Sequence, residues 1–201
     1  MLRKGFEREE DVVRAALKEF AEKGYEKASI NTIIKESGIS KGTFYYHFLG
    51  KEELFLYLVQ KAGDLKVEWL RNHIPKNSQE PMPLFDSLRV HMNMMVGFMK
   101  QYPEYVEFSF STILNASPEL MEKALRDIEP KLRDFFLPLI DQEYSQNRFA
   151  PCFDQGFAET MILYLFRNSW SMLKEYREQT IDVLMHRVDQ LITFIERGLS
   201  R

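Results

Sequence analysis

A chain of 201 residues has room for one or two small domains and a sizeable core. Its formal net charge of −3 argues against a protein that coats nucleic acid indiscriminately. The charge is uneven: residues 1–51 hold ten Lys and Arg against eight Asp and Glu, and the remainder seventeen against twenty-two, so the weak basic bias lies at the N-terminal end. The single cysteine, Cys152, excludes an intramolecular disulfide and suits a reducing cytoplasm. No apolar run is long enough to span a membrane, and Met1-Leu2-Arg3-Lys4-Gly5 leads into a charged helix without a signal-peptide pattern, so the expected location is cytoplasmic, with no membrane partner.

The spacing predicts a first helix from about Glu7 to Lys23, with Val12, Val13, Ala16, Leu17 and Phe20 facing inward. Ser29 is placed to cap a second helix running to about Ser37, with Ile30, Ile33 and Ile34 as its apolar stripe. Gly38 follows and stops that helix in the left-handed conformation. Ser40 caps a third, short helix, Lys41-Gly42-Thr43-Phe44-Tyr45-Tyr46-His47-Phe48, in which Phe44 and Phe48 share a buried face. The other faces carry Lys41, Thr43, Tyr45, Tyr46 and His47, hydrogen-bonding groups and flat rings suited to phosphates, base edges and thymine methyls. This is the helix-turn-helix plan, with its second helix laid in the major groove. The competing reading is an ordinary helical hairpin with Tyr and His at its surface.

A long fourth helix is predicted from Lys51 to about Asn72 through Leu54, Leu58, Ala62, Leu65 and Trp69. After a polar loop come a fifth helix, Leu84 to Gln101, and a sixth, Pro103 to Asn115. Ser117-Pro118-Glu119 opens a seventh that reaches about Tyr144, bent or broken at Pro130 and Pro138. Two more helices cover about residues 154–176 and 180–199, making about nine in an all-α chain. The expected division is a helix-turn-helix domain over 1–50 and a helical ligand-binding and dimerisation domain over 51–201.

The last helix carries one continuous apolar stripe through Leu184, Val188, Leu191 and Ile195. The helix before it is apolar on more than one side, with Met161, Tyr164, Phe166 and Trp170 among its large residues. A helix apolar on several faces needs cover on several faces, one from its own core and one from a partner chain. Phe166, Trp170, Leu184, Val188, Leu191 and Ile195 are therefore the candidate dimer interface. Candidate ligand-binding residues are Trp69, Arg89, Met92, Met95, Met99, Phe108, Asn115, Met161, Tyr164 and Arg167, because methionine and aromatic rings line adaptable apolar pockets and embedded polar groups orient a ligand. The same residue types fill ordinary helical cores. Arg167 suits a ligand carboxylate and an acid across a dimer equally well.

The N-terminal quarter resembles the DNA-binding domain of the tetracycline-repressor (TetR) family. The resemblance runs through Ala15-Ala16-Leu17-Lys18-Glu19-Phe20-Ala21-Glu22-Lys23-Gly24-Tyr25, Thr32-Ile33, Gly38 to Phe48, and Lys51-Glu52-Glu53-Leu54. It implies that Thr43, Tyr45, Tyr46 and His47 touch bases and phosphates, that Thr32 and Lys51 approach phosphate, and that Lys41 adds a contact. Gly42 is read as permitting close backbone approach. Ile34 departs from the Ala common in the family. The resemblance further implies a homodimer joined by its last two long helices, a double-stranded, palindromic DNA operator, and repression relieved by a small-molecule effector, here lipophilic or amphipathic.

No Walker loop, dinucleotide glycine fingerprint or nucleophile elbow is present, and His47, His73, His91 and His186 show no zinc spacing. Neither catalysis, a metal nor another cofactor is expected. Two functions of different class remain: a ligand-responsive dimeric repressor, and a helical binding module whose helix-turn-helix is vestigial.

Overall fold

The computed structural model describes residues 6–73, 82–112, 116–126, 129–173 and 180–200. Among these are ten helices: α1 Glu9–Lys27, α2 Ile30–Ser37, α3 Lys41–His47, α4 Lys51–His73, α5 Leu84–Gln101, α6 Pro103–Thr112, α7 Pro118–Arg126, α8 Glu129–Ser145, α9 Gln155–Leu173 and α10 Ile181–Leu199. The extra helix arises where one was expected to bend. α8 starts beside Pro130, whose missing N–H costs nothing in a first turn, and then runs through Pro138 without ending. Gly24, at φ 71° and ψ 167°, breaks α1 near its expected end, and a short helical tail continues to Lys27. Among the described residues the only extended pairing is a bridge between Phe149 and Ser200.

The helices form two compact units, residues 1–67 with 101–128, and residues 68–100 with 129–201. Packing thus draws a different line from the one expected at residue 50. α6 and α7 bury their apolar faces in the same core as the helix-turn-helix. Phe20, Phe44, Phe55 and Phe108 are fully buried there, with Leu120 and Ala124 of α7 beside them. Phe108 of α6 lies 6.1 Å from the Phe20 ring and 5.6 Å from the Phe55 ring. Glu9 ties α1 to α4 by accepting hydrogen bonds from the Tyr57 hydroxyl and from Lys61.

In the second unit Leu84, Leu88, Phe98, Phe136, Ile140, Ala158, Ile162 and the inward stripe of α10 form the core. The buried Glu143 carboxylate of α8 accepts from the Leu84 amide at 2.9 Å and from Arg148 at 3.1 Å. It places an anion at the start of α5, where the helix leaves amides unsatisfied. Arg89 of α5 bonds Asp189, Thr193 and Glu196 of α10 at 3.1, 3.2 and 2.6 Å.

Candidate nucleic-acid interface

The helix-turn-helix is built from local hydrogen bonds that its sequence dictates. The Ser29 hydroxyl accepts from the Thr32 amide, while the Ser29 amide donates to the buried Glu19 carboxylate at 3.0 Å. Glu19 therefore fixes where α2 starts relative to α1. Gly38 takes φ 66°, a conformation costly for any residue with a Cβ. Ser40 Oγ accepts from the Thr43 amide at 3.0 Å and lies 2.8 Å from the Thr43 hydroxyl. Such a cap is worth about 1 kcal/mol to a helix.

On this frame Phe44 is fully buried, whereas Tyr45 is 46% and Tyr46 68% exposed. Lys41 and Gly42 are also at the surface. A Cβ added to Gly42 would meet only Ser40 Oγ, at 3.7 Å, so nothing inside the chain demands glycine there. Thr32 is half-buried at the start of α2, and the Thr43 hydroxyl is shared with the Ser40 cap.

His47 and Lys51, both expected to contact DNA, are engaged by residues outside α3. The His47 ring stacks on Phe6, centroids 3.9 Å apart and 13° between planes. Lys51 Nζ donates to the Glu26 carbonyl at 2.9 Å and the Ala28 carbonyl at 3.4 Å, and sits 4.9 Å over the Tyr25 ring. Its charge meets the carbonyl end of α1, where a cation is favoured. Leu49, just before it, is 88% exposed.

The described residues among those expected to bind a ligand have different surroundings. Phe108 is a core residue of the first unit, packed against Phe20 and Phe55. Arg89 is engaged by three side chains of α10, and its guanidinium is held above its ordinary range by the Glu196 hydrogen bond foremost. Met95 is buried in the second unit, and Met92 and Met99 are half-buried. Trp69 lies there too: its Nε1 donates to the Met94 carbonyl at 3.3 Å, its ring stacks on His73 at 3.7 Å, and it fills the space a Cβ on Gly97 would need. Met161 is half-buried and Tyr164 exposed on α9. Asn115 and the side chains of Phe166, Arg167 and Trp170 lie outside the described residues.

The expected dimer stripe lies inward in the single chain. Leu184, Val188, Leu191 and Ile195 are buried within their own unit, because they face the helices of that unit. Among the described residues, the large apolar groups that α9 and α10 leave at the surface include Phe157, Tyr164, Val183 and Phe194. Sequence reasoning missed Phe6, Arg8 and Glu19. Only Glu19 had a signal: it stands three residues after Ala16, on the inward side of α1.

Among the described residues no group of three or more His, Cys, Asp or Glu is arranged to hold a metal ion, and no helix is long and apolar enough to cross a membrane.

Residues 12–58 match the family model of bacterial regulatory proteins, tetR family. The HTH-type transcriptional regulator YuxN of Bacillus subtilis is 25% identical over 96% of this chain, which spans 65% of that relative. YerO of the same organism is 44% identical over 33% of this chain and 23% of its own length. The chain thus spans less than two thirds of these curated relatives. The solved structure of FadR from Bacillus subtilis in complex with stearoyl-CoA shares the fold, with a TM-score of 0.70 at 15% identity over 94% of this chain and 98% of that one. With the caps, the glycine turn and the outward-facing third helix in place, the N-terminal part of the chain is similar to the DNA-binding region of the tetR family of bacterial regulatory proteins.

Proposed function

We propose that the protein is a dimeric, ligand-responsive regulator, a repressor that leaves a palindromic operator when a lipophilic or amphipathic small molecule binds its second unit. The observation that carries this reading is α3. A helix held by buried Phe44 sends Tyr45 and Tyr46 to the surface, 46% and 68% exposed, where a duplex can meet them. Lys41, Gly42, Thr43 and Thr32 join them as DNA contacts. Lys51 reaches phosphate only by sharing the amine that it donates to the end of α1.

Dimerisation is assigned to α9 and α10 through the outward residues Phe157, Tyr164 and Phe194. A two-fold dimer sets its recognition helices about 34–36 Å apart, one turn of the duplex. α4 supports the coupling, since its residues 51–67 belong to the first unit and its last turns to the second. A coupling of about 1–3 kcal/mol changes operator affinity from several-fold to over a hundred-fold. The half-buried methionines of α5 suit an aliphatic effector, and the stearoyl-CoA bound by FadR makes long-chain acyl thioesters the first compounds to try.

The test is a fluorescence-anisotropy titration against the DNA flanking the protein's own gene, at low and physiological salt. Saturable binding by two chains per site, surviving random competitor and reversed by acyl thioester, is the expected result. Weak binding without sequence preference at either salt would favour the binding-module reading.

A further inference from the structure

α3 has seven residues and is about 10 Å long, too short to hold its own orientation. Rotation by about ten degrees moves its far end about 2 Å, more than a hydrogen bond to a base tolerates. Phe44 and Phe48 fix the helix from beneath. Two contacts from the residues just before α1 act from outside. Arg8 is in the left-handed conformation, φ 69°, and closes a turn in which the Glu9 amide bonds the Phe6 carbonyl at 3.0 Å. That turn places two side chains on opposite ends of the recognition element. The Phe6 ring lies face to face with His47, the last residue of α3, and edge-on to Phe48 at 6.2 Å. Arg8 Nη1 donates to the Gly38 carbonyl at 2.9 Å, in the turn leading into α3, while its Nε is held by Asp11 at 3.0 Å. The guanidinium lies 3.0 Å from where a Cβ on Gly38 would sit. Glycine at 38 is favoured by φ, and a side chain there would press on the Arg8 guanidinium.

We propose that Phe6 and Arg8 are positioning residues for operator recognition, forming a two-point brace that sets the angle of α3 through the His47 ring and the Gly38 carbonyl. This rests on the DNA-binding reading above. His47 then serves as the post on which the brace closes, and Tyr45 and Tyr46 are the readers it aims. A brace that sets angle affects contacts to base edges, which demand geometry, more than contacts to phosphates, which tolerate displacement.

The experiment compares operator with random-sequence DNA at fixed salt for the wild type, Phe6→Ala, Phe6→Tyr, Arg8→Lys, His47→Ala and the Phe6→Ala/His47→Ala double variant, with thermal melting of each. Phe6→Ala is expected to weaken operator binding about tenfold, the upper end for a lost aromatic pair, while random-sequence binding changes less than about twofold. Phe6→Tyr keeps the ring and restores affinity. Arg8→Lys loses the fork that bonds Asp11 and Gly38 together, and shifts selectivity the same way by less. The double variant is no weaker than its worse single variant, since both remove one contact. Equal losses on both DNAs, or additive losses in the double variant, overturn the brace. If Phe6→Ala does not fold, Phe6→Leu, with apolar volume but no ring, carries the same comparison. A wild type without operator preference defeats the DNA-binding reading and the brace with it. A wild type with preference and an indifferent Phe6 defeats the brace alone.

Discussion

Helices α3 and α10 both carry large apolar side chains, and they dispose of them differently. α10 turns Leu184, Val188, Leu191, Ile192 and Ile195 into its own unit and leaves Phe194 outside, 71% exposed. α3 buries Phe44 and leaves Tyr45 and Tyr46, two of its three rings besides histidine, in solvent. A stripe at helical spacing says that a face is covered, without saying by what. Rings left over after the core is full are the better mark of a surface that something else covers, and by that mark α3 is the more exposed to a partner than the stripe of α10.

The largest effect should come from the residue whose role changed most. Phe108→Ala opens a cavity among Phe20 and Phe55, and a loss of about 3–5 kcal/mol in urea unfolding is expected. A loss below about 1 kcal/mol would return Phe108 to the ligand-binding set. Next comes the outward face of α3. Tyr45→Ala with Tyr46→Ala should weaken operator binding about a hundredfold, at one to three kcal/mol per lost base contact, and shift unfolding by less than about 1 kcal/mol since both rings are largely exposed. Unchanged operator binding would leave the recognition helix without a function. On α10, Phe194→Glu should raise the dimer dissociation constant at least about tenfold in sedimentation velocity while the melting of the single chain stays the same. If the variant dimerises like the wild type, the interface lies elsewhere.

The helix-turn-helix was legible because its signals are local. Ser29, Gly38 and Ser40 each act on residues two to four positions away, and each does so in the structure. The surroundings of Phe108 and Arg89 were not legible, because their partners are distant in sequence. Nothing in residues 103–112 announces that α6 packs against α1 and α4, and nothing near Arg89 announces Glu196. Periodicity identified the buried face of α10 and could not choose between its own unit and a second chain. Phe6, outside every periodic segment, had no signal at all.

The smallest expected effect probes the tie between α1 and α4. Burial pushes the Glu9 carboxyl up, but the hydrogen bonds from Lys61 and Tyr57 outweigh it and hold the group below its ordinary value of 4.5. A carboxyl depressed in the folded state stabilises above its unfolded value and loses that contribution as pH falls through the folded one. Tyr57 is displaced the other way, above 10.0, by burial first and by its hydrogen bond to Glu9 second. Its contribution is complete below 10.0 and fades as pH rises through the folded value. The tie should therefore hold full strength between roughly pH 5 and pH 10 and weaken on both sides. Glu9→Gln removes the charge that both partners answer to while keeping an acceptor, and at neutral pH it should cost about 1 kcal/mol, the scale of one net intramolecular hydrogen bond. The measurement is thermal melting of both proteins from pH 3 to pH 11. Curves that converge toward pH 3 and separate at neutral pH support the tie, while a constant offset at every pH would mean that Glu9 contributes packing and no charge.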